Sequence, residues 1–371
     1  MTPLEPSAAA HARDSDPRAL AQALARVGTI VGLGVLPIAA IVLMFAVGTP
    51  DGSLSTDFHG ELYPEAKLLL QGENPFPSPD FDPLAQANLI WPPVAAFLVA
   101  PLTLLPAGVA DVAMAGIGLL CFALAIWLVG VRDWRVYGAM ALWPQVVGEM
   151  RVSHMTPIVM VLVAAAWRFR DVRGAPGPLI GLAVAVKLFV WPVGLWLVAT
   201  RRLRDTLLAA LIVAFSLLLV LPYTGLGDYT RSLLQLGRAF DQDSYTVYGL
   251  LVQAGASDAV AKGATYAVGA GLLAATWRYR SFALALAAAL VLSPVVWLDY
   301  FALAAVPLGI TRPRLSPIWF LPLVTWGAQG AGIGIGDVST NIRVLVPFAV
   351  VFAVAFRGER SRAAEPAVAA T

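Results

Sequence analysis

The sequence predicts an all-α, polytopic membrane protein, and three observations carry that prediction. The 371 residues are 59% hydrophobic and 13% charged, with a mean hydropathy of +0.76, which is far from the balance of a water-soluble domain. Apolar runs near 27–49, 107–131, 206–223, 281–298 and 338–356 meet or approach the roughly 20 residues that a helix needs to cross a hydrocarbon core of about 30 Å. The arginines gather in the short breaks between such runs, as positive residues do on the cytoplasmic side of a membrane. Roughly 10–12 crossings of about 20 residues each, some of them shortened, follow from these runs.

The same composition excludes several classes of function. A net charge of +2 gives no field for a nucleic-acid partner. One cysteine, Cys121, cannot form an intrachain disulfide, and three histidines with one cysteine cannot build a Cys/His zinc cluster. Residues 1–25 are polar and rich in Ala and Pro, without the charged start and apolar core of a cleavable signal. They are expected to be a disordered cytoplasmic tail, with a single transmembrane domain over 26–357 and a second cytoplasmic tail at 358–371.

Parity orders the elements. The clusters Arg132/Arg135, Arg168/Arg170/Arg173, Arg201/Arg202/Arg204, Arg278/Arg280, Arg312/Arg314 and Arg357/Arg360/Arg362 are assigned to one side, so the first span carries the chain out and 50–106 forms an external loop. Within it, 89–106 looks like a span, but its crossing would put Arg132 and Arg135 outside. With Pro92, Pro93, Pro101 and Pro106 it is better placed along or dipping into the outer leaflet, because proline removes donors that a lipid-exposed helix must satisfy. By the same logic 178–199 is a pair of short helices turning near Lys187. A second external loop spans 223–257, with Asp228, Arg231, Arg238, Asp241, Asp243 and Tyr245. No internal repeat and no soluble domain is evident.

The first loop carries the densest chemistry. From Ser55 to Phe76, Phe58, Leu62 and Leu69 recur at helical spacing, as do Asp57, Glu61 and Glu65. This predicts an amphipathic interfacial helix, apolar face toward lipid, ended by Gly72 and Asn74-Pro75. Spacing alone allows Asp57 to be an N-cap or a general base at the lipid–water boundary. Lys187, one of three lysines, stands alone among about 20 apolar residues and is by default a functional residue, unless it snorkels from a short helix end. Arg151 and His154 lie at one external turn and Asp299 and Tyr300 at another, so with the first loop three turns bring ionisable groups to one face. Singly, each reads as a solvated turn residue.

Taken in order, these residues resemble glycosyltransferase family 87, polyprenol-phosphate-sugar-dependent transferases of the C-type membrane fold. The resemblance rests on Asp57 after the first span, Tyr63 and Ala66 running into Gly72-Glu73-Asn74-Pro75-Phe76, Trp91-Pro92-Pro93 with Pro101 and Pro106, the turn at His154, Gly181 to Lys187 followed by Pro192 and Arg201-Arg202, and Ser293-Pro294 with Trp297. It covers about 27–300, and the first loop is its most specific part. Two departures stand out: Leu298-Asp299-Tyr300 where a histidine is expected, and His154 where the family often has a Gly-Gln pair.

The resemblance implies an inverting transfer of mannose or arabinofuranose from a polyprenyl-phosphate donor to a glycan or glycolipid acceptor on the outer face of a plasma membrane. Asp57 would be the general base, and Lys187, Arg151, Arg231 and Arg238 would hold the donor phosphate. His59, Glu61, Tyr63, Asn74, His154, Asp299 and Tyr300 are the candidate substrate contacts. No cofactor is implied and no acidic cluster in the sequence marks a metal site. The excess of arginine over lysine points to a high-GC bacterium. A transporter or flippase and a non-catalytic scaffold are the alternatives; the first would show internal symmetry and acidic residues deep in spans, neither of which the sequence shows.

Overall fold

The computed structural model describes residues 17–77, 81–82, 91–328 and 337–364. Among these every regular element is helical. The chain opens with α1 (Pro17–Ile30) and α2 (Leu36–Asp51), joined without a break by a π-turn over Val31–Val35. Residues 17–25, expected within a disordered tail, are therefore helical. Their apolar positions Leu20 and Leu24 continue the exposed apolar surface of the span, so the helical pattern simply begins earlier than the hydropathy does.

The first loop folds back over the bundle as a π-turn (Phe58–Leu62), α3 (Tyr63–Gln71), α4 (Pro93–Val99) and a 3-10 turn (Ala100–Leu104). The apolar face of the 55–76 segment does not meet lipid. Phe58 and Leu62 are wholly buried and Leu69 nearly so, in the same core as Val99, Met114 and Met150. The acidic face points inward too, with Glu65 buried and its Oε2 accepting no hydrogen bond. Gly72 ends α3 in the left-handed region at φ 73°, as the sequence predicts.

The body follows as α5 (Ala107–Leu128), α6 (Trp134–Ala141), α7 (Pro144–Val152), α8 (Thr156–Arg168), α9 (Pro176–Val186), α10 (Pro192–Ala199) and α11 (Leu203–Leu218). After them come α12 (Leu226–Phe240), α13 (Val247–Gln253), α14 (Asp258–Tyr279), α15 (Phe282–Leu292), α16 (Ala305–Thr311) and α17 (Val338–Ala364). Helix α17 runs into the residues expected as a C-terminal tail, held there by Glu359, which accepts from Ser281 Oγ at 2.5 Å and from the Ala283 amide at 3.0 Å.

Three helices among the described residues are long and apolar enough to cross a membrane: Leu20–Thr49, Ala107–Leu128 and Val338–Arg362. Seven more apolar helices are 10–17 residues long. The sequence expectation of ten to twelve crossings therefore resolves into three full-length helices and a set of short ones. Proline is the reason. It stands at the first turn of α4, α7, α8, α9 and α10, where its missing N–H costs nothing and its ring favours a helix start, while α17 carries Pro347 in its interior. Segment 93–104 is accordingly a short broken helix, and Lys187 lies at the break between α9 and α10.

The arginine clusters share one end of the molecule. The Leu315 amide donates to Asp133 Oδ2 at 3.0 Å, Arg362 donates to the Ile310 carbonyl, Arg202 reaches Asp171 at 3.3 Å, and Phe282 packs on Trp167 and Trp196. Helices α5 and α8 both run from the opposite end toward these clusters. At 22 residues α5 separates the two ends by roughly 33 Å.

Candidate functional site

The end away from the arginines gathers the ionisable residues. Asp57 enters from the first loop on a helical turn, with φ −78° and no side-chain bond to its own helix. The N-cap reading fails, because its carboxylate is used elsewhere. Oδ2 lies 2.5 Å from His154 Nε2, and Oδ1 accepts from Thr56 Oγ1 at 3.0 Å. The Asp57 side chain keeps 33% of its exposure, against 7% for His154, so the carboxylate sits at the mouth of the cluster with the imidazole beneath it. Burial alone would raise the Asp57 pKa, but the charge and hydrogen bond of His154 and the Thr56 hydroxyl outweigh it and hold it below the usual carboxylate value.

Behind His154 the polar contacts continue inward. Its Nδ1 is 3.4 Å from Asp299 Oδ2, long for a hydrogen bond. Asp299 accepts from Thr156 Oγ1 at 3.0 Å, and Lys187 Nζ donates to the same hydroxyl at 2.8 Å. Lys187 is 3% exposed and lies over the Tyr300 ring at 3.7 Å and the Trp91 ring at 4.6 Å. It does not snorkel. A cation so deep is tolerable only with partners, and here they are a hydroxyl, two aromatic faces and nearby carboxylates.

The local sequence explains this placement. The chain breaks after α9 at Lys187, which is extended at φ −139°, and Ser153 ends α7 in the left-handed region at φ 55°, turning His154 inward. Ser55, two residues before Asp57, is also left-handed at φ 59°. The two serine hydroxyls meet at 2.7 Å, and Ser55 Oγ donates to the Asp111 carbonyl at 2.8 Å. Both serines are buried. Non-glycine residues in this region carry strain that the surrounding structure must hold in place, and here the hydrogen bond between the two serines holds it while joining the Asp57 segment to the His154 turn.

Of the twelve residues singled out from sequence, six converge: Asp57, Glu61, His154, Lys187, Asp299 and Tyr300. Glu61 is half-buried beside Asp57 and bonds to Trp91, and its pKa is pushed up to about 7, first by burial and then by the Asp57 charge. The others have different occupations. His59 pairs with Asp111 at 2.9 Å, Tyr63 donates to the Leu105 carbonyl at 2.9 Å, and Asn74 Oδ1 accepts from the Phe76 amide in its own turn. Arg151 is exposed at the rim, its carbonyl accepting from Thr56. Arg231 pairs with Asp228 at 3.0 Å on exposed α12, and Arg238 is exposed on the same helix. That helix approaches the site loops through Phe240 on Trp297 and Tyr229 on Phe76.

One residue escaped the sequence reading. Glu149, five residues before His154, is 1% exposed and stands with His154 and Asp299 in a group whose ligand-capable atoms all lie within 4.8 Å of one another. Acidic residues therefore do lie deep in the bundle. The signal was present as a carboxylate inside the apolar run VVGEMRV, the kind of residue that membrane burial makes costly.

A family model described as glycosyltransferase family 87 matches residues 89–299, more than half of the 371 residues. The chain belongs to glycosyltransferase family 87. It is therefore a glycosyltransferase of a membrane family, with a sugar donor and an acceptor as substrates, which argues against the transporter and scaffold alternatives. The matched segment holds Trp91, Glu149, Arg151, His154, Lys187 and Asp299, while Asp57 lies upstream of it. No curated protein and no solved structure matches the chain.

Proposed function

We propose that this glycosyltransferase moves a sugar, mannose or arabinofuranose, from a polyprenyl-phosphate donor to a hydroxyl of a glycan or glycolipid, on the extracytoplasmic face of a plasma membrane. The observation that carries the proposal is the one-third-exposed Asp57 carboxylate held 2.5 Å from a buried imidazole, away from the arginine clusters. Asp57 takes the proton of the acceptor hydroxyl as the oxygen bonds to the anomeric carbon. The bond from that carbon to the phosphate oxygen breaks in the same displacement, and the electron pair leaves with polyprenyl phosphate. A single displacement inverts the anomeric centre.

A carboxylate with a lowered pKa is a weak base, so proton transfer falls late in the displacement, when the attacking hydroxyl has become acidic. Its compensation is constant ionisation at neutral pH. The developing charge on the phosphate is met by fixed positive groups: Arg151 at the rim, Lys187 behind Thr156, and Arg231 and Arg238 on α12. Among these Lys187 is the most constrained and so the best placed to act as a stationary charge. The exposed apolar surface of α1 and α2 is the kind of flank along which a polyprenyl chain would lie in a bilayer. The Arg-rich end is assigned to the cytoplasm.

Purified protein given a polyprenyl-phosphate mannose or arabinofuranose and a glycan acceptor should release polyprenyl phosphate, with inversion in the product by NMR. Retention of configuration, or no release from either donor, would contradict the proposal. In the same assay Lys187→Ala should raise the KM for donor by about tenfold or more, the size expected for one lost charge-assisted contact to phosphate. An unchanged donor KM would remove Lys187 from the donor site.

A further inference from the structure

We infer that Glu149, His154 and Asp299 form a binding site for one divalent cation, of the Mn²⁺ or Zn²⁺ type. Both carboxylate oxygens of Glu149 are buried and accept no hydrogen bond, while the residue is only 1% exposed. What it meets is the Asp299 carboxyl, and two buried carboxylates face to face without a donor are among the costliest arrangements in a protein interior unless a proton or a cation lies between them. The neighbours of Glu149, Asp299 and His154, are potential ligands in their turn, and one ligand-capable atom from each of the three residues lies within 4.8 Å of the other two. Ligands about 2.1 Å from one cation are roughly 3–4 Å apart, so the group needs only a small contraction around an ion.

The ring of His154 is oriented for ligation. Nε2 is directed at Asp57 Oδ2 at 2.5 Å, which keeps a proton on that nitrogen, and a cation binding here takes the place of the Nδ1 proton on the side of the ring that faces Asp299. A carboxylate accepting the distal N–H of a histidine ligand is the usual outer-shell partner of a metal-bound imidazole, because it fixes the tautomer and makes the ligand more basic. The 3.4 Å between Nδ1 and Asp299 Oδ2 is long for a hydrogen bond and natural for two ligands of one ion. One imidazole nitrogen with two carboxylates selects a borderline or hard divalent cation rather than a thiophilic one. Lys187, linked to Asp299 through Thr156, adds a positive charge nearby and sets a limit on affinity.

The assignment is independent of the transfer reaction, since the site is tested without donor or acceptor. Purified full-length protein, stripped with EDTA and desalted, is titrated with Mn²⁺ while the free-ion EPR signal is followed. About one equivalent should bind, and pulsed EPR should show coupling to a single imidazole nitrogen. Glu149→Gln should weaken binding by tenfold or more, whereas Lys187→Met, which removes a competing positive charge, should tighten it. Absence of stoichiometric binding to the wild type, absence of nitrogen coupling, or equal binding by Glu149→Gln would each overturn the assignment and leave Glu149 as a protonated core residue. The nitrogen coupling is read on the wild type and does not depend on any variant folding.

Discussion

At the scale of single residues, the cluster is built from charges that only partners make tolerable. Asp57 stays ionised because His154 offsets its burial, and Glu61, one helical turn further on, has no comparable cation and is pushed up to about 7. Because Glu61 holds its proton more tightly folded than unfolded, it opposes folding progressively as pH rises from about 4.5 to about 7, and by a constant amount above that. Glu61→Gln cannot ionise. The difference in Tm between variant and wild type should therefore grow in favour of the variant across this window and then level off. Parallel curves would show that Glu61 is not perturbed. Asp57 and Lys187 were legible in the sequence as isolated charges beside apolar runs. Glu149 carries the same signal within an apolar run, and the partners of Lys187 are not legible in the sequence because Thr156 and Asp299 are distant in the chain. The two positions where the sequence departs from the family pattern, His154 and Asp299, turn out to be neighbours, which no reading of each turn by itself could show.

Single elements are fixed as much by backbone as by side chains. The sequence placed a break near Lys187 from arginine parity, and the chain breaks there between α9 and α10; within 89–106, read as lying along the membrane rather than across it, 93–104 is a short broken helix. The sequence mistook the direction of the 55–76 helix. An apolar stripe beside a membrane span reads as lipid-facing, yet Phe58 and Leu62 are buried against the bundle, because an amphipathic pattern records that a face is apolar and not what covers it. The link between that loop and the α7–α8 turn is the pair Ser55 and Ser153, both left-handed and bonded to each other. Ser153→Ala leaves the buried Ser55 hydroxyl with one partner fewer. The variant should lose about 1–2 kcal/mol of stability and show a lowered kcat with little change in KM for either substrate. Equal losses in kcat and KM terms, or none, would mean that the serines merely fill space.

The whole molecule is polarised. The arginine clusters occupy one end, and Asp57, His154, Asp299 and Lys187, with Arg151 at their rim, lie away from it, with α5 and the shorter α8 between them. Composition and hydropathy were enough for the membrane class, and the arginine clusters for the common end. The number of full-length crossings was not legible, because proline-broken pairs of short helices have the same hydropathy as one long helix. In a Cys121→Ser background, single cysteines replacing Glu73 and Asp171, both exposed, should react with a membrane-impermeant thiol reagent from opposite sides, Glu73→Cys from outside. Labelling from one side only would sink the polarity. The central claim is that one carboxylate, Asp57, takes the proton in glycosyl transfer. Its most direct test is the rate of polyprenyl phosphate release by Asp57→Asn protein of wild-type thermal stability. The expected rate is lower by about 10²–10⁴, and turnover at the wild-type rate would contradict the account.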